Sequence, residues 1–199
     1  MSGVGSIEQG EQGRIQQGRY TAAQQKQSPH HDERSDPTDI SVLVVHCISL
    51  PAGQFGLPYI DQLFMGTLDP TSDPSFGILQ GLRVAAHMVI HRDGHMVQYV
   101  PFDKRAWHAG VSHYCGRKGC NDFSIGIELE GTDTEPYTKE QYQQLAKVAA
   151  SLVQHYPALT PQRIVGHQHI APVRKTDPGP AFDWQYFKQL VAQQLHGAA

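Results

Sequence analysis

An almost wholly apolar run, SVLVVHCISL at residues 41–50, is the strongest constraint on how this chain can fold. Its β-branched residues predict a strand buried on both faces of a sheet, and the Pro51-Ala-Gly sequence ends it. His46 therefore lies near the carboxyl end of a buried strand. A buried imidazole is costly unless it is hydrogen-bonded or metal-bound, so His46 is either a satisfied core histidine or a ligand.

The rest of the chain interleaves further strands with helices. FSIGIELE at 123–130 alternates as a strand with both glutamates on one face, RIVGH at 163–167 predicts a short strand, and AHMVIHRDGHMVQYV predicts a hairpin across Asp93-Gly94. Helices are predicted around 58–65, over 138–155 after a capping box at Thr138, and over 183–195. Residues 102–122 read as a long loop. The predicted fold class is α/β, a mixed central sheet flanked by helices.

Composition predicts the domain organisation. Residues 1–27 are rich in Gln, Gly and Ser with few large apolar residues, so we expect a disordered tail, followed by one domain over 28–199. No apolar run is long enough to span a membrane, and a net charge of −3 lacks the basic footprint of a nucleic-acid binder. Three cysteines, expected to be thiols, and the absence of a secretory signal pattern predict a cytoplasmic protein. We expect a monomer.

Polar clusters stand where predicted strands end. His46, His167 and Asp177 offer two imidazoles and one carboxylate, the donors of a zinc site with an open fourth position. Spacing alone does not separate this triad from scattered structural histidines, because no local ligand motif joins them. Glu128 is either a general base or a solvated strand-face carboxylate. Lys175 is either an oxyanion-stabilising cation or a surface lysine.

Other polar residues are expected to have no role in such a site. Glu130 fits the solvated strand-face carboxylate better than Glu128 does. His169 is placed on an extended segment that points its ring away from His167, which makes it a poor ligand. Cys115 and Cys120, with His108 and His113 nearby, match no zinc spacing and read as ordinary loop thiols. The histidines expected to be solvated are His30, His31, His95, His113, His155 and His196.

Several long motifs carry a family resemblance. VVHCISLP, VPFDKRAWHAGVS, CNDFSIGIELEGTDTEPYT and GHQHIAPVRKTDPGPAFDW resemble the amidase-2 family of N-acetylmuramoyl-L-alanine amidases, over about residues 28–187. The family shares its fold with phage amidases and peptidoglycan recognition proteins. The resemblance implies a Zn²⁺ enzyme that hydrolyses the lactyl–L-Ala amide of a small muropeptide, the 1,6-anhydro-muropeptide, in cell-wall recycling. Such an activity would also lower the muropeptides that induce β-lactamase.

The resemblance also assigns roles to single residues. It places the zinc ligands on His46, His167 and Asp177, the catalytic glutamate on Glu128, and the oxyanion-stabilising lysine on Lys175. The substrate groove it implies includes Arg83, Trp107 and Arg174. Guanidinium groups suit the carboxylates of an anionic peptide, and an aromatic face suits a sugar ring.

Two positions depart from the family pattern. Cys47 stands where the family usually has Asn, which removes an amide expected to contact substrate. His169 stands where Asp is usual in GHxDIAP, which can shift metal affinity or pH dependence if that position supports a ligand. Neither departure touches the ligands, Glu128 or Lys175, so we expect activity to survive.

Three other functions remain open from the sequence. A non-catalytic peptidoglycan-recognition module would share the fold but should lack a complete ligand set, whereas this chain has every residue of it. Two histidines and one carboxylate also describe a non-haem Fe(II) oxygenase site, which bound-metal analysis would separate from a zinc site. An amidase of intact, cross-linked wall is a third reading, and the expected cytoplasmic location argues against it.

Overall fold

The computed structural model describes residues 13–197. Over these residues the strands are, in chain order, β1 (Ile15–Gln16), β2 (Arg19–Tyr20), β3 (Gln24–Gln25), β4 (His31–Asp32), β5 (Val42–Ile48), β6 (Met88–Ile90), β7 (Met96–Gln98), β8 (Arg105–Ala106), β9 (His113–Tyr114), β10 (Arg117–Lys118), β11 (Ser124–Glu130) and β12 (Ile164–Gly166). The α-helices are α1 (Tyr59–Met65), α2 (Lys139–His155), α3 (His167–Ile170) and α4 (Trp184–His196). Short 3₁₀ helices cover Pro74–Leu79, Cys120–Asp122 and Pro161–Arg163.

A six-stranded mixed sheet lies at the centre, in the order β12-β5-β11-β6-β7-β3. The first four of these strands are parallel, β6 and β7 form an antiparallel hairpin, and β3 pairs parallel to β7. The α/β prediction is confirmed. Val42 to Val45 on β5 and Ile125 to Ile127 on β11 are fully buried, as expected for strands covered on both faces. The carboxyl ends of β5, β11 and β12 therefore meet at one edge of the sheet.

Helices α2 and α4 pack together over one face of this sheet. The Thr138 hydroxyl accepts the N–H of Gln141, whose side chain accepts the Thr138 N–H, so the predicted capping box is formed. The buried stripe of α2 includes Leu145, Ala149 and Leu152, which confirms the predicted helix. The apolar side chains from α2, α4, β5 and β11 form the main core beneath the site-bearing edge.

The prediction of a disordered tail over 1–27 is wrong for residues 13–27, and residues 1–12 lie outside the described part. Tyr20 is only 1% exposed within the core, and its backbone N–H donates to the Gln98 side-chain oxygen at 2.7 Å. The Gln98 amide in turn donates to the Gly18 carbonyl. The polar composition of this segment did not predict that it would pack against the sheet. One buried aromatic side chain and a few hydrogen-bonded backbone groups are enough to hold such a segment where a sheet edge already exists.

Two connections differ in detail from the sequence prediction. Ile90 pairs with Met96, so residues 91–95 connect β6 and β7 and the Asp93-Gly94 turn lies within a longer loop. Gly94 has φ +85°, the left-handed conformation that favours glycine. The predicted long loop over 102–122 contains the short strands β8, β9 and β10 and one 3₁₀ turn. No helix within 13–197 combines the length and apolarity that a membrane crossing requires.

Candidate functional site

Three side chains converge at the carboxyl edge of the parallel strands. His46 lies on β5, His167 begins α3 directly after β12, and Asp177 lies in the loop beyond α3. His46 Nδ1 is 2.9 Å from His167 Nδ1 and 3.2 Å from Asp177 Oδ2, and His167 Nδ1 is 3.1 Å from the same oxygen. Donor atoms around a tetrahedral zinc ion bound at about 2.0–2.1 Å lie about 3.3 Å apart. The three donors therefore have the spacing of a metal site.

The electrostatics of these groups suit metal binding. Burial lowers the pKa of His46 to about 4, although its hydrogen bond with Asp177 opposes this shift. Burial also disfavours the Asp177 carboxylate, but hydrogen bonds with His167 and His46 outweigh it and hold the Asp177 pKa below its ordinary value. At neutral pH the site accordingly offers a neutral imidazole on His46 beside an ionised carboxylate, which is the protonation that a metal needs.

Glu128 lies beside the cluster because β11 pairs with β5 in a register that sets Glu128 opposite His46. Burial raises the pKa of Glu128 well above its ordinary value, and the charge of Asp177 adds to this while Lys175 opposes it. Its Oε2 atom is buried and has no hydrogen-bond partner among the described residues. Burying a carboxylate oxygen without a hydrogen-bond partner costs free energy. This oxygen is therefore free to accept a hydrogen bond from a molecule bound in the site.

Glu130 has a different environment from the one expected. It is only 2% exposed and accepts hydrogen bonds from the Gly56 N–H, the Arg92 N–H and the His91 ring. Burial opposes its ionisation, but these donors hold its pKa below the ordinary value. The interpretation of Glu130 as a solvated carboxylate is wrong, because the loops carrying its donors close over it.

A cavity of about 540 Å³ is lined by every site residue named from the sequence. The Arg83 guanidinium lies 5.0 Å from the centre of the Trp107 ring, in cation–π contact at the cavity wall. Arg174 donates hydrogen bonds to the carbonyls of Ala109 and Val111, so its guanidinium also stabilises the loop at residues 109–111. The site residues that line the cavity are His46, Arg83, Trp107, Glu128, His167, Arg174, Lys175 and Asp177.

One residue at the site escaped the sequence analysis. His108 lies with Nδ1 2.9 Å from His46 Nε2 and with Nε2 3.1 Å from Ser124 Oγ. In the sequence, His108 is marked only by its nearness to Cys115 and Cys120. Within the described residues those thiols join no group of three or more ligand-type side chains, in contrast to the His46 cluster. Nothing local in the sequence marks His108 as a partner of His46, because its contact with His46 joins residues far apart in the chain.

Two other histidines differ from expectation, and one thiol borders the site. His30 is buried, its Nδ1 lies 3.0 Å from the Val84 carbonyl, and its ring stacks on Trp107, so its assignment as solvated is wrong. His169 lies on the helical turn α3 and not on an extended segment, and its Nδ1 accepts the Gly166 N–H. Cys47 is half-buried, and burial raises the pKa of its thiol.

Comparison with known proteins identifies the family. A family model described as N-acetylmuramoyl-L-alanine amidase (Amidase_2) matches residues 36–180. The chain belongs to the amidase-2 family. As a member of this family it is an amidase, a hydrolase of amide bonds, and its mixed sheet with flanking helices is the amidase-2 fold.

Individual relatives of this amidase-2 chain are close. It is 63% identical over 169 residues to the 1,6-anhydro-N-acetylmuramyl-L-alanine amidase AmpD of Salmonella typhimurium (strain SL1344), a match covering 85% of this chain and 90% of the relative. A crystal structure of a selenomethionine derivative of AmpD is 59% identical, with a TM-score of 0.87, and the match covers 89% of this chain and 98% of that one.

A more distant structure contains a ligand. It is the complex of the Escherichia coli amidase AmiD with anhydro-N-acetylmuramic acid-L-Ala-D-γ-Glu-L-Lys, 28% identical with a TM-score of 0.58. The match covers 90% of this chain and 65% of that one.

Proposed function

We propose that this amidase is zinc-dependent and hydrolyses the lactyl–L-Ala amide of 1,6-anhydro-muropeptides in cell-wall recycling. The observation that carries the proposal is the convergence of the His46, His167 and Asp177 donor atoms beside a buried Glu128 oxygen that has no hydrogen-bond partner in the described part of the chain. The substrate class is supported by the name of the 63% identical relative and by the anhydro-muropeptide bound to AmiD. The cytoplasmic location and the monomeric state stay predictions.

The metal has a defined place in this proposal. His46, His167 and Asp177 would hold zinc, which when bound supplies a Lewis acid for the amide carbonyl and lowers the pKa of a water molecule. The donor set of imidazole and carboxylate, with spacings near 3 Å, supports this assignment. The same donors also suit iron, which elemental analysis of the bound metal distinguishes from zinc.

Glu128 would move the proton. Its carboxylate accepts a proton from the attacking water, the C–N bond of the tetrahedral intermediate breaks, and the same proton goes to the departing alanine nitrogen. A raised pKa suits both steps, because a general base that later acts as an acid works best near the operating pH. Lys175 lines the same cavity and would stabilise the negative charge on the former carbonyl oxygen. The products are a lactyl carboxylate and a free peptide amine.

Arg83 and Trp107 would bind the substrate from the cavity wall. Their cation–π contact orders both side chains next to the open volume, where a guanidinium can pair with a peptide carboxylate and the ring can face a sugar. Arg174 would contact the substrate while its guanidinium keeps its hydrogen bonds to the 109–111 loop.

The test has two parts. Elemental analysis of the protein as purified, before any zinc is added, identifies the metal it carries. Zinc-loaded protein is then incubated with anhydro-muramoyl-tripeptide, and peptide release is followed by mass spectrometry. We expect release by wild type and by Glu140→Gln, a control on the exposed side of α2. We expect Glu128→Gln to lose about 10²–10⁴-fold in rate and chelation to stop the reaction. Zinc binding without any release would favour a recognition module, and iron with zinc absent would overturn the zinc assignment.

A further inference from the structure

A chain of hydrogen bonds leads from His46 away from the cavity to a backbone carbonyl. His46 Nε2 lies 2.9 Å from His108 Nδ1, and His108 Nε2 lies 3.1 Å from Ser124 Oγ. Ser124 Oγ lies 2.6 Å from the Cys120 carbonyl oxygen. Ser124 is fully buried, so water does not compete for these contacts.

The directions of these hydrogen bonds follow from the last acceptor. A carbonyl only accepts, so the Ser124 hydroxyl donates its single proton to Cys120. Ser124 Oγ must then accept from His108 Nε2–H, which leaves His108 Nδ1 as an acceptor. His108 Nδ1 accepts from His46 Nε2–H, and the His46 proton is thereby held on Nε2. The lone pair of His46 Nδ1 consequently points toward His167 and Asp177.

The backbone carbonyl of Ala109 orients the imidazole of His167. His167 Nε2 lies 3.2 Å from the Ala109 carbonyl, which accepts its proton and leaves Nδ1 of His167 facing the site. Ala109 directly follows His108, and the side-chain oxygen of Asn121 accepts the backbone N–H of both, at 3.2 and 2.8 Å. One amide side chain thus anchors the short segment that orients both imidazoles.

Gly126 on β11 leaves the space that the His108 ring occupies. A Cβ atom at Gly126 would lie 2.4 Å from the His108 ring, a distance that real Cβ atoms do not adopt. The requirement is one of space alone, since the φ of Gly126 is not positive.

We propose that Ser124, His108 and Asn121 form a positioning network that fixes the tautomers of His46 and His167 so that both present Nδ1 to the metal. The inference rests on the proposed zinc site. It assigns to these residues no contact with substrate, and their effect acts through the ligands. Partners that orient a metal-bound histidine in this way raise metal affinity.

Zinc affinity, measured by competition with a chromophoric chelator, tests the network. We expect Ser124→Ala to weaken zinc binding about 10- to 100-fold. The matched control is Ser151→Ala, which removes another buried serine hydroxyl, one that donates to the Gly13 carbonyl and does not line the site cavity. Its zinc affinity should equal that of wild type. Thermal unfolding of each zinc-loaded variant checks that it is folded.

A second comparison separates positioning from packing. The side-chain oxygen of His108→Asn can take the place of Nδ1 and accept the His46 Nε2–H, whereas His108→Ala supplies no acceptor. We expect His108→Asn to keep zinc affinity within a few-fold of wild type and His108→Ala to lose it as Ser124→Ala does. In the His108→Asn background, Ser124→Ala should cost little, because Ser124 acts only by setting the His108 tautomer.

The outcomes distinguish this inference from the proposed function. If His46→Ala binds zinc as tightly as wild type, the metal site itself is wrong. If wild type binds zinc through His46 but Ser124→Ala and His108→Ala keep full affinity, the positioning network is wrong and the zinc site stands. ¹⁵N chemical shifts of zinc-loaded protein give an independent check, since a proton on His108 Nδ1 would overturn the assigned directions.

Discussion

Glu128 and Glu130 are two residues apart on one face of β11, and their neighbours give them opposite properties. Glu130 accepts three hydrogen bonds from the loops around it and is held ionised, so its burial is compensated. Glu128 keeps one buried oxygen with no hydrogen-bond partner within residues 13–197, and burial raises its pKa. Strand alternation predicted that the two glutamates share a face. The hydrogen-bond donors that make Glu130 different from Glu128 include the backbone N–H groups of Gly56 and Arg92, and no local sequence pattern connects these residues to β11.

The raised pKa of Glu128 predicts a stability cost. The unfolded chain loses this proton near a pH of about 4.3, whereas the folded protein retains it to higher pH. Between these values the folded state binds more protons, so stability falls as pH rises through that window. We expect Glu128→Gln, measured with chelator present, to be more stable than wild type at pH 7, with a gain that vanishes toward pH 4.

Thermal unfolding across this pH range measures the effect. For a chain of this size each kcal/mol corresponds to about 2–4 °C in Tm. Gln16→Ala, which replaces one exposed uncharged side chain by another, should show no such trend. A Tm difference for Glu128→Gln that stays constant from pH 4 to 7 would contradict the assigned ionisation.

Arg83 provides a prediction about substrate binding. Arg83 is exposed, its guanidinium lies over the Trp107 ring at the cavity wall, and it has no assigned part in the proton transfer, so we expect it to bind substrate and transition state equally. We expect Arg83→Ala to raise KM about 10-fold, the loss of one charge-assisted contact, with kcat nearly unchanged. Steady-state kinetics on the anhydro-muropeptide measure this, with the exposed Arg14→Ala as control. A fall in kcat at constant KM would assign Arg83 to the chemical step instead.

At the scale of elements, the sequence predicted β5, β11, α2 and α4, because long periodic or fully apolar runs leave few alternatives. The carboxyl-edge placement of His46 follows from its position in β5, and the parallel register then sets Glu128 opposite it. His108 was missed because it lies in an irregular segment, and only the packing of that segment against β11 brings its ring to His46. Periodicity carries no information about such a contact.

The sequence did not predict that the segment from β1 to β3 packs against the sheet, because its composition is polar. A mutation can test how much this packing contributes to stability. Tyr20 is buried in the main core although its flanking sequence is polar. We expect Tyr20→Ala to lower the free energy of unfolding by about 3–5 kcal/mol, as for other buried aromatic residues. Urea denaturation measures it, with Gln16→Ala, an exposed position of β1, expected within about 0.5 kcal/mol of wild type. Equal stability of Tyr20→Ala and wild type would restore the tail prediction.

At the scale of the whole molecule, the site joins segments from distant parts of the chain. The proposed ligands come from β5, from the start of α3 and from the loop at Asp177, and the residues hydrogen-bonded behind them come from β11 and from the irregular segment before it. The family resemblance placed His46, His167 and Asp177 in one site, which composition and spacing left open, and their donor atoms do converge in the structure. The hydrogen bonds behind the ligands are visible only in the folded structure, because each one joins different elements.

Because the proposed ligands His46, His167 and Asp177 lie so far apart in the chain, we expect metal to bind the native state and not the unfolded one. Free zinc at 100-fold its Kd would then stabilise the native state by about 2.7 kcal/mol, and Tm would rise by roughly 5–10 °C. Differential scanning calorimetry of chelated and zinc-saturated protein measures this rise. His46→Ala removes one donor and should show almost none of it, whereas His155→Ala, an exposed histidine at the end of α2, should respond like wild type. An equal zinc response in His46→Ala would place the metal elsewhere in the molecule.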